Sequence, residues 1–421
     1  MIPFFVVSKG FAAQRCIFAA GRGGGLPTGT YLAALVCPFH SILHFPPPKT
    51  LAVRIHRLSL YQYKNYEAAD VHFETAFTCL TGPNGAGKTN LLDAVYYCSF
   101  CRSARHSVED QNLMHGRDGF RIHGRFEHQG HPLEVEVRYR RGGTKEVLCS
   151  GERYTRLADH IGRLPLVLTG PEDMALVDGY SEERRRFLDS ALSTVDRSYL
   201  DALLRYNRAL AQRNAALRRY REGQPADPLL LDSYSEHMQT SGALIQALRA
   251  QFLAELLPLF AECYRLISRQ AESPGLDWVA SFPSDGDLVA LHRRDRQRDI
   301  GAGRTGSGPH RDDLALLLDG HPAKLLGSQG QKKTLLYALR LAQWLWLGGK
   351  LGSPPLLLLD DVFDKLDRAR VESLFSLLAS HSAAQVLISD TNLNRVEEVF
   401  RSIGVACQSI AVEPGRIVAP A

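Results

Sequence analysis

Hydrophobic and polar positions along this 421-residue chain change period several times, and each change marks an element. From Leu51, the apolar positions Val53, Ile55, Leu58 and Leu60 predict an opening strand. Tyr61 to Tyr66 reads as a polar aromatic turn, and Val71 to Phe73 as a return to strand. Phe77 to Thr81 is short, apolar and β-prone, while Asn90 to Tyr97 sets Leu91, Leu92, Val95 and Tyr96 at helical spacing. Arg121 to Glu127 and Leu133 to Tyr139 alternate, and Gly142-Gly143 predicts a hairpin turn before Glu146 to Cys149. Leu164 to Thr169 is another apolar strand, followed by Gly170-Pro171-Glu172-Asp173.

From about 181 to 270 the period becomes helical. Tyr199, Leu203, Tyr206, Leu210, Leu217 and Tyr220 follow alternating steps of four and three, broken only by Arg213. A turn at Gly223 to Pro228 and a second stripe of Leu244, Leu248, Phe252, Leu256 and Leu259 predict an antiparallel hairpin projecting from the first lobe. At 1.5 Å per residue it reaches about 40 Å. Residues 284–306 are polar and basic, with Arg293, Arg294, Arg296, Arg298 and Arg304, and read as a mobile loop. The fold class is therefore α/β with antiparallel strands, plus an inserted helical lobe. Expected divisions are an extension over 1–50, a first lobe over 51–180, a helical lobe over 181–300, a return to both lobes over 301–415 and a tail over 416–421.

The chemistry centres on Gly82-Pro83-Asn84-Gly85-Ala86-Gly87-Lys88-Thr89, which matches G-x-x-x-x-G-K-[ST] at every fixed position. It sits between the predicted strand and the predicted helix, the context a phosphate loop needs. Glycines let backbone N–H groups curl around an anion, and the helix N-terminus adds partial positive charge. Lys88 would reach the outer phosphates, and Thr89 would offer a hydroxyl to Mg²⁺. Further on, Leu356 to Leu359 ends in Asp360-Asp361, so a strand delivers two acids. Asp360 would hold Mg²⁺ beside Thr89, and Asp361 would orient or deprotonate the attacking water. About thirty residues earlier, Ser328, Gly330 and Gln331 open a helix with Leu335, Leu336, Leu339, Ala342 and Trp346 on one face. That is a second anion-binding helix start, more than one triphosphate needs from one chain.

Composition adds bounds. The formal net charge of +5 is too mild to argue for nucleic acid unless the charge is concentrated. Arg184-Arg185-Arg186, Arg205, Arg208, Arg213, Arg218, Arg219 and Arg221 do concentrate it, on the helical lobe. Eight cysteines without a framework fit a reducing cytosol, and Cys98-x-x-Cys101 has no second pair at zinc spacing, so both read as core thiols. No run of 18 apolar residues is present, and no membrane span is expected. Residues 1–50 contain no acid and end in Pro46-Pro47-Pro48. They read as a disordered extension or as translated upstream sequence, with the natural start near Leu51.

The order of phosphate loop, helical insertion, Ser-x-Gly-Gln, paired acids and the loop Asp364-Lys365-Leu366-Asp367 resembles that of ABC-type P-loop ATPases. Within them, Tyr63-Lys64-Asn65-Tyr66, Pro171-Glu172-Asp173 with Arg185-Arg186-Phe187-Leu188-Asp189, and Gly308-Pro309-His310-Arg311-Asp312-Asp313-Leu314 are similar to the RecF family, relatives of Rad50 and SMC heads. The likeness covers about 51–415. It implies a cytoplasmic, ATP-dependent DNA-binding protein with a weak, DNA-dependent ATPase. It implies an ATP-dependent homodimer in which Ser328, Gly330 and Gln331 serve the partner's nucleotide. It also implies double-stranded and gapped DNA, RecR and RecO as partners, and indirect action on RecA. Lys64 stands where the family often has Arg, and Ile388-Ser389-Asp390-Thr391 lacks the switch His of many ABC ATPases. Asp361 replaces their usual Glu, and its shorter reach implies slow turnover. A glutamine loop is not identifiable between Leu164 and Asp178. The competing classes are a transporter ATPase subunit and an SMC-like structural clamp, the latter with a far longer coiled coil.

Overall fold

The structure is a computed structural model that describes residues 52–268, 272–363, 366–381 and 384–418. The extension expected for 1–50 lies outside the described residues, as do Asp364 and Lys365. β1 (Arg54–Tyr63) and β2 (Tyr66–His72) form the first hairpin, with its turn confined to Lys64-Asn65 and Lys64 at φ 54°. β3 (Phe77–Thr81) is buried at every position and leads through the glycine loop into α1 (Lys88–Phe100). β4 (Gly119–His128), β5 (His131–Arg140), β6 (Glu146–Cys149) and β7 (Glu152–Arg153) complete an antiparallel sheet ordered β2-β1-β4-β5-β6-β7. Its alternation buries Ile122, Phe126, Val135 and Val137 and leaves Arg121, Arg125 and Arg138 to pair with Glu134 and Glu136 outside.

β8 (Leu166–Thr169) is followed by a 3₁₀ turn at Pro171–Met174, α2 (Ala175–Asp178) and α3 (Ser181–Val195). Asp196 then caps α4 (Arg197–Arg221), accepting from the N–H groups of Ser198 and Tyr199. α4 and α5 (Pro228–Ser268) form the expected antiparallel hairpin. By length and mean hydropathy α5 could cross a membrane. Its Ile245, Phe252, Leu256 and Phe260 are instead spent inside the protein, where Phe252 meets Trp346 edge-on at 4.5 Å.

β9 (Pro274–Val279) is followed not by the expected loop but by two helices, α6 (Leu288–Arg294) and α7 (Arg296–Ala302). Asp287 caps α6, Asp295 accepts from Arg294 and Arg298, and Asp232 of α5 takes Arg293 and Arg296, so four of the segment's five arginines are held by acids. α7 packs on α4, and Arg213, the break in the heptad, is 1% exposed and bonded to Asp299 at 2.8 Å. The hairpin is therefore braced rather than freely projecting. β10 (Asp313–Leu318) pairs with β9 and with β11 (His321–Pro322).

α8 (Ala323–Leu326) and α9 (Gln329–Leu351) lead to β12 (Leu356–Leu359), α10 (Arg368–Ala379), β13 (Val386–Asp390), α11 (Leu393–Ile403), β14 (Gln408–Glu413) and β15 (Arg416–Val418). The tail expected from 416 thus begins as a strand paired with β14. The central sheet runs β15-β14-β3-β13-β12-β8, parallel except for β15. Covered on both faces, its inner strand β12 is apolar throughout: Leu357 and Leu359 join the core shared with α5, α9 and α10, while Leu356 and Leu358 join the one shared with α1 and the antiparallel sheet.

Candidate functional site

The loop from Gly82 to Thr89 lies where β3, β13 and β12 end side by side. Two of its glycines are dictated by close packing. A Cβ on Gly82 would sit 2.0 Å from the Val412 carbonyl oxygen of β14, and one on Gly87 would sit 2.5 Å from Asn65 Nδ2. Asn65 braces the loop from the β1–β2 turn, donating to the Ala86 carbonyl at 2.8 Å and accepting from Asn90 at 2.7 Å. Lys64 beside it does not face the loop: its amine lies 2.7 Å from Asp93 on α1. That buried carboxylate also accepts from Tyr63 and Ser103 and from the N–H of Ala104. One acid thus ties the first hairpin and the segment after α1 to the helix carrying Lys88.

Lys88 is buried, and its amine donates to the carbonyls of Gly82 and Pro83 at 2.7 and 2.9 Å. Thr89 donates its hydroxyl to Asp360 at 2.9 Å, uniting the two motifs that sequence kept 271 residues apart. Asp360 is 2% exposed and also accepts from Ser389 at 2.5 Å and from Arg105 at 2.7 Å. Asp361 follows at φ 51°, a left-handed conformation, with its N–H donated to the Ser389 hydroxyl at 3.0 Å. Asp390, the last residue of β13 and part of the stretch that lacks a switch His, is buried and bonded to Arg395 and the Asn392 N–H.

Arg105, Glu172, Ser389 and Arg340 escaped the sequence reading of this site. Arg105 bridges Asp360 and Glu172, the latter at 2.6 Å, and Arg340 of α9 pairs with Asp173. Arg105, Glu172, Arg340, Asp360 and Thr89 line a cavity of about 420 Å³ that opens beside the phosphate loop. The segment in which no glutamine loop was identifiable thus presents two carboxylates. The signal for Arg105 was the basic cluster Arg102, Arg105 and His106 following α1, which no other element needed.

Ser328, Gly330 and Gln331 are not joined to this constellation by any hydrogen bond among the described residues. Ser328 caps α9, accepting from the Gln331 N–H at 3.2 Å while its own N–H donates to the Gln331 side chain at 2.6 Å. The Gln331 amide reaches Glu272 at 2.5 Å, and Ser328 itself is exposed. His310 of the Gly308–Leu314 block is locked between the Tyr206 hydroxyl at 2.7 Å and the Thr305 carbonyl, and burial pulls its pKa down to about 3. Cys98 and Cys101 are free, buried thiols, with burial raising the latter to about 12. Among the described residues no three His, Cys, Asp or Glu side chains converge as a metal cage. The basic residues of the helical lobe divide: Arg184 and Arg213 are buried on Asp313 and Asp299, while Arg205, Arg208, Arg218 and Arg219 are exposed and form no ion pair among the described residues.

A family profile described as the RecF/RecN/SMC N terminal domain matches residues 54–413. The DNA replication and repair protein RecF of Phocaeicola vulgatus is 42% identical over 365 residues, 86% of this chain and 97% of that protein. Its namesake from Flavobacterium johnsoniae is 36% identical over 350 residues, 83% of this chain and 97% of that protein. A solved structure of the recombination mediator protein RecF with ATP, in the RecFOR pathway, superposes with a TM-score of 0.79 at 24% identity, covering 88% of this chain and 99% of that one. An Smc head domain from Pyrococcus furiosus gives 0.52 at 16% identity, covering 88% and 96%. These two likenesses show the fold.

Proposed function

This chain belongs to the RecF/RecN/SMC family, and within it to the RecF proteins, and from that premise we propose that it is an ATP-driven, DNA-binding switch of replication and recombinational repair. The observation that carries the reading is the meeting of Thr89 and Asp360 at the mouth of the glycine loop. A hydroxyl and a single carboxylate are the hard oxygen donors that Mg²⁺ takes when phosphates supply the rest. Bound there, Mg²⁺ would neutralise charge on the phosphates. The chain's own groups do the remainder. Backbone N–H groups from Gly82 to Lys88 cradle the phosphates, with Pro83, Asn84, Gly85 and Ala86 forming the arc. Lys88 exchanges the carbonyls of Gly82 and Pro83 for phosphate oxygens. Asp361, held at its backbone by Ser389, orients the attacking water; its short side chain suits slow turnover.

Ser328, Gly330 and Gln331 form the outward-facing start of α9 and no hydrogen bond among the described residues joins them to the Thr89–Asp360 corner, so we assign them to the nucleotide of a second copy. Two chains then close head to tail over two ATP molecules, and hydrolysis removes contacts from both. The exposed arginines of α4 support backbone contacts to duplex or gapped DNA, which weaken steeply with salt. RecR and RecO as partners, promotion of RecA loading and a cytoplasmic site of action complete the reading.

Light scattering with Mg²⁺ and saturating ATP, with and without duplex DNA, tests it. The wild-type chain should double in mass, and Ser328→Arg should stay single while still binding ATP. A wild-type chain that stays monomeric under both conditions, or a Ser328→Arg variant that dimerises normally, would sink the shared site.

A further inference from the structure

Asp360 is almost fully enclosed, and a carboxylate so placed needs a compensating charge. Lys88, the nearest cation by motif, does not supply it, since its amine rests on two backbone carbonyls. The charge comes from Arg105, whose Nη2 lies 2.7 Å from Asp360 Oδ2 while Thr89 and Ser389 donate neutral hydroxyls to the same carboxylate. We infer that Arg105 is the resident counter-ion of the cation site, and that a divalent ion entering with nucleotide must displace it from Asp360. This inference rests on the assignment of Thr89 and Asp360 as the Mg²⁺ donors.

Charge and geometry argue for displacement rather than sharing. A doubly charged ion and a guanidinium on one carboxylate repel one another in an enclosed corner where water screens little. Arg105 also has somewhere to go. Its other nitrogen, Nη1, already bonds Glu172 at 2.6 Å, and Glu172 is 63% exposed, free to follow the arginine outward. The cavity of about 420 Å³ beside it provides the room. At its root the segment is fixed, because the N–H of Arg105 donates to Ser103, which in turn donates to the buried Asp93. The side chain can therefore swing while its backbone stays. Nucleotide binding and cation binding become separable steps, with the cation concentration required at the second set by Arg105.

The test uses the full-length chain with saturating ADP, titrated with Mn²⁺ as the probe ion, free Mn²⁺ being followed by electron paramagnetic resonance. Fluorescent ADP binding in EDTA is measured in parallel. Arg105→Gln should lower the half-saturating Mn²⁺ by about tenfold, the equivalent of losing one competing ion pair, with binding in EDTA unchanged. Arg105→Lys keeps the charge and should stay within about threefold of wild type. An unchanged midpoint in Arg105→Gln overturns the proposal, and so does a raised one, which would make Arg105 a helper of the bound cation. Should the wild-type chain bind ADP in EDTA yet hold no Mn²⁺ beside it, the assignment of Thr89 and Asp360 falls first, and that failure is distinguishable from an unchanged midpoint.

Discussion

The corner around Asp360 and the interior of the helical lobe are equally rich in charge, yet they use it in opposite ways. In the first, every charged group holds something a ligand can replace: Lys88 holds carbonyls of its own loop, and Arg105 holds an acid beside a cavity. In the second, the charges hold one another. Arg249 of α5 is 2% exposed and bonds Asp189, Asp312, the Pro309 carbonyl and the Tyr199 hydroxyl, while Asp312 also takes Gln246 and the Ser281 N–H. Those contacts clamp α3, α4 and α5 to the Gly308–Leu314 block, and none of the clamped groups lines the cavity beside the phosphate loop. The contrast teaches that an arginine's role follows from what its partner could otherwise bind, not from how many arginines surround it.

Cutting the clamp is the severest way to test this. Arg249→Ala leaves Asp312 enclosed without its cation, and removing one partner of a buried pair costs about 3–5 kcal/mol. Urea unfolding should register that loss whether or not nucleotide is present. Arg105→Gln also strips Asp360 of its cation, but that carboxylate keeps the hydroxyls of Thr89 and Ser389 and can take a divalent ion instead, so its loss should be smaller and should shrink when Mg²⁺ and nucleotide are added. Comparable losses in the two variants would erase the distinction between the regions.

Acid probes the same difference more gently. Burial holds His292 near pKa 4 and His310 near 3, both well below the ordinary 6.5, so the unfolded chain takes up protons first as pH falls. Their contribution to stability is complete above about pH 6.5 and is lost progressively down to about 3–4. Between pH 7.5 and 5 each should remove about 2 kcal/mol. His160 in the first lobe is lowered by burial as well and adds in the same direction. Denaturation of a His292→Asn variant over that range should show a visibly shallower pH dependence. An unaltered slope would mean the ring is not the enclosed neutral group bonded to Ser235 and Ser307.

Much of the nucleotide corner was legible because its chemistry is local. Gly82 to Thr89 are contiguous, and Asp360 is announced by four leucines, an apolar run that a strand covered on both faces requires. The antiparallel strands announced themselves by alternation. The helical lobe was legible as elements but not as an assembly. Arg213 looked like a flaw in a heptad because its partner, Asp299, lies 86 residues away on a helix whose own arginines disguised it as a loop. Arg105 was visible only as part of a small basic cluster, since its two partners lie 67 and 255 residues away. Long-range ion pairs leave no periodic trace, so structure had to supply them.

The smallest effect separates the two uses of a single residue, Ser328. In the free chain it is a helix cap, and a cap replaced by alanine costs about 1 kcal/mol. Ser328→Ala should therefore shift urea unfolding of the monomer by about that amount, and Ser328→Asn, a comparable cap, should restore it. If capping were the whole role, Ser328→Asn would also restore ATP-dependent dimerisation. If Ser328 meets the partner's triphosphate, the bulkier amide cannot take the place of a small hydroxyl beside Gly330, and dimerisation by light scattering should stay weakened in both variants. Stability then returns while assembly does not. That split would move Ser328 from the group of residues that hold only their own chain into the group whose contacts a ligand exchanges.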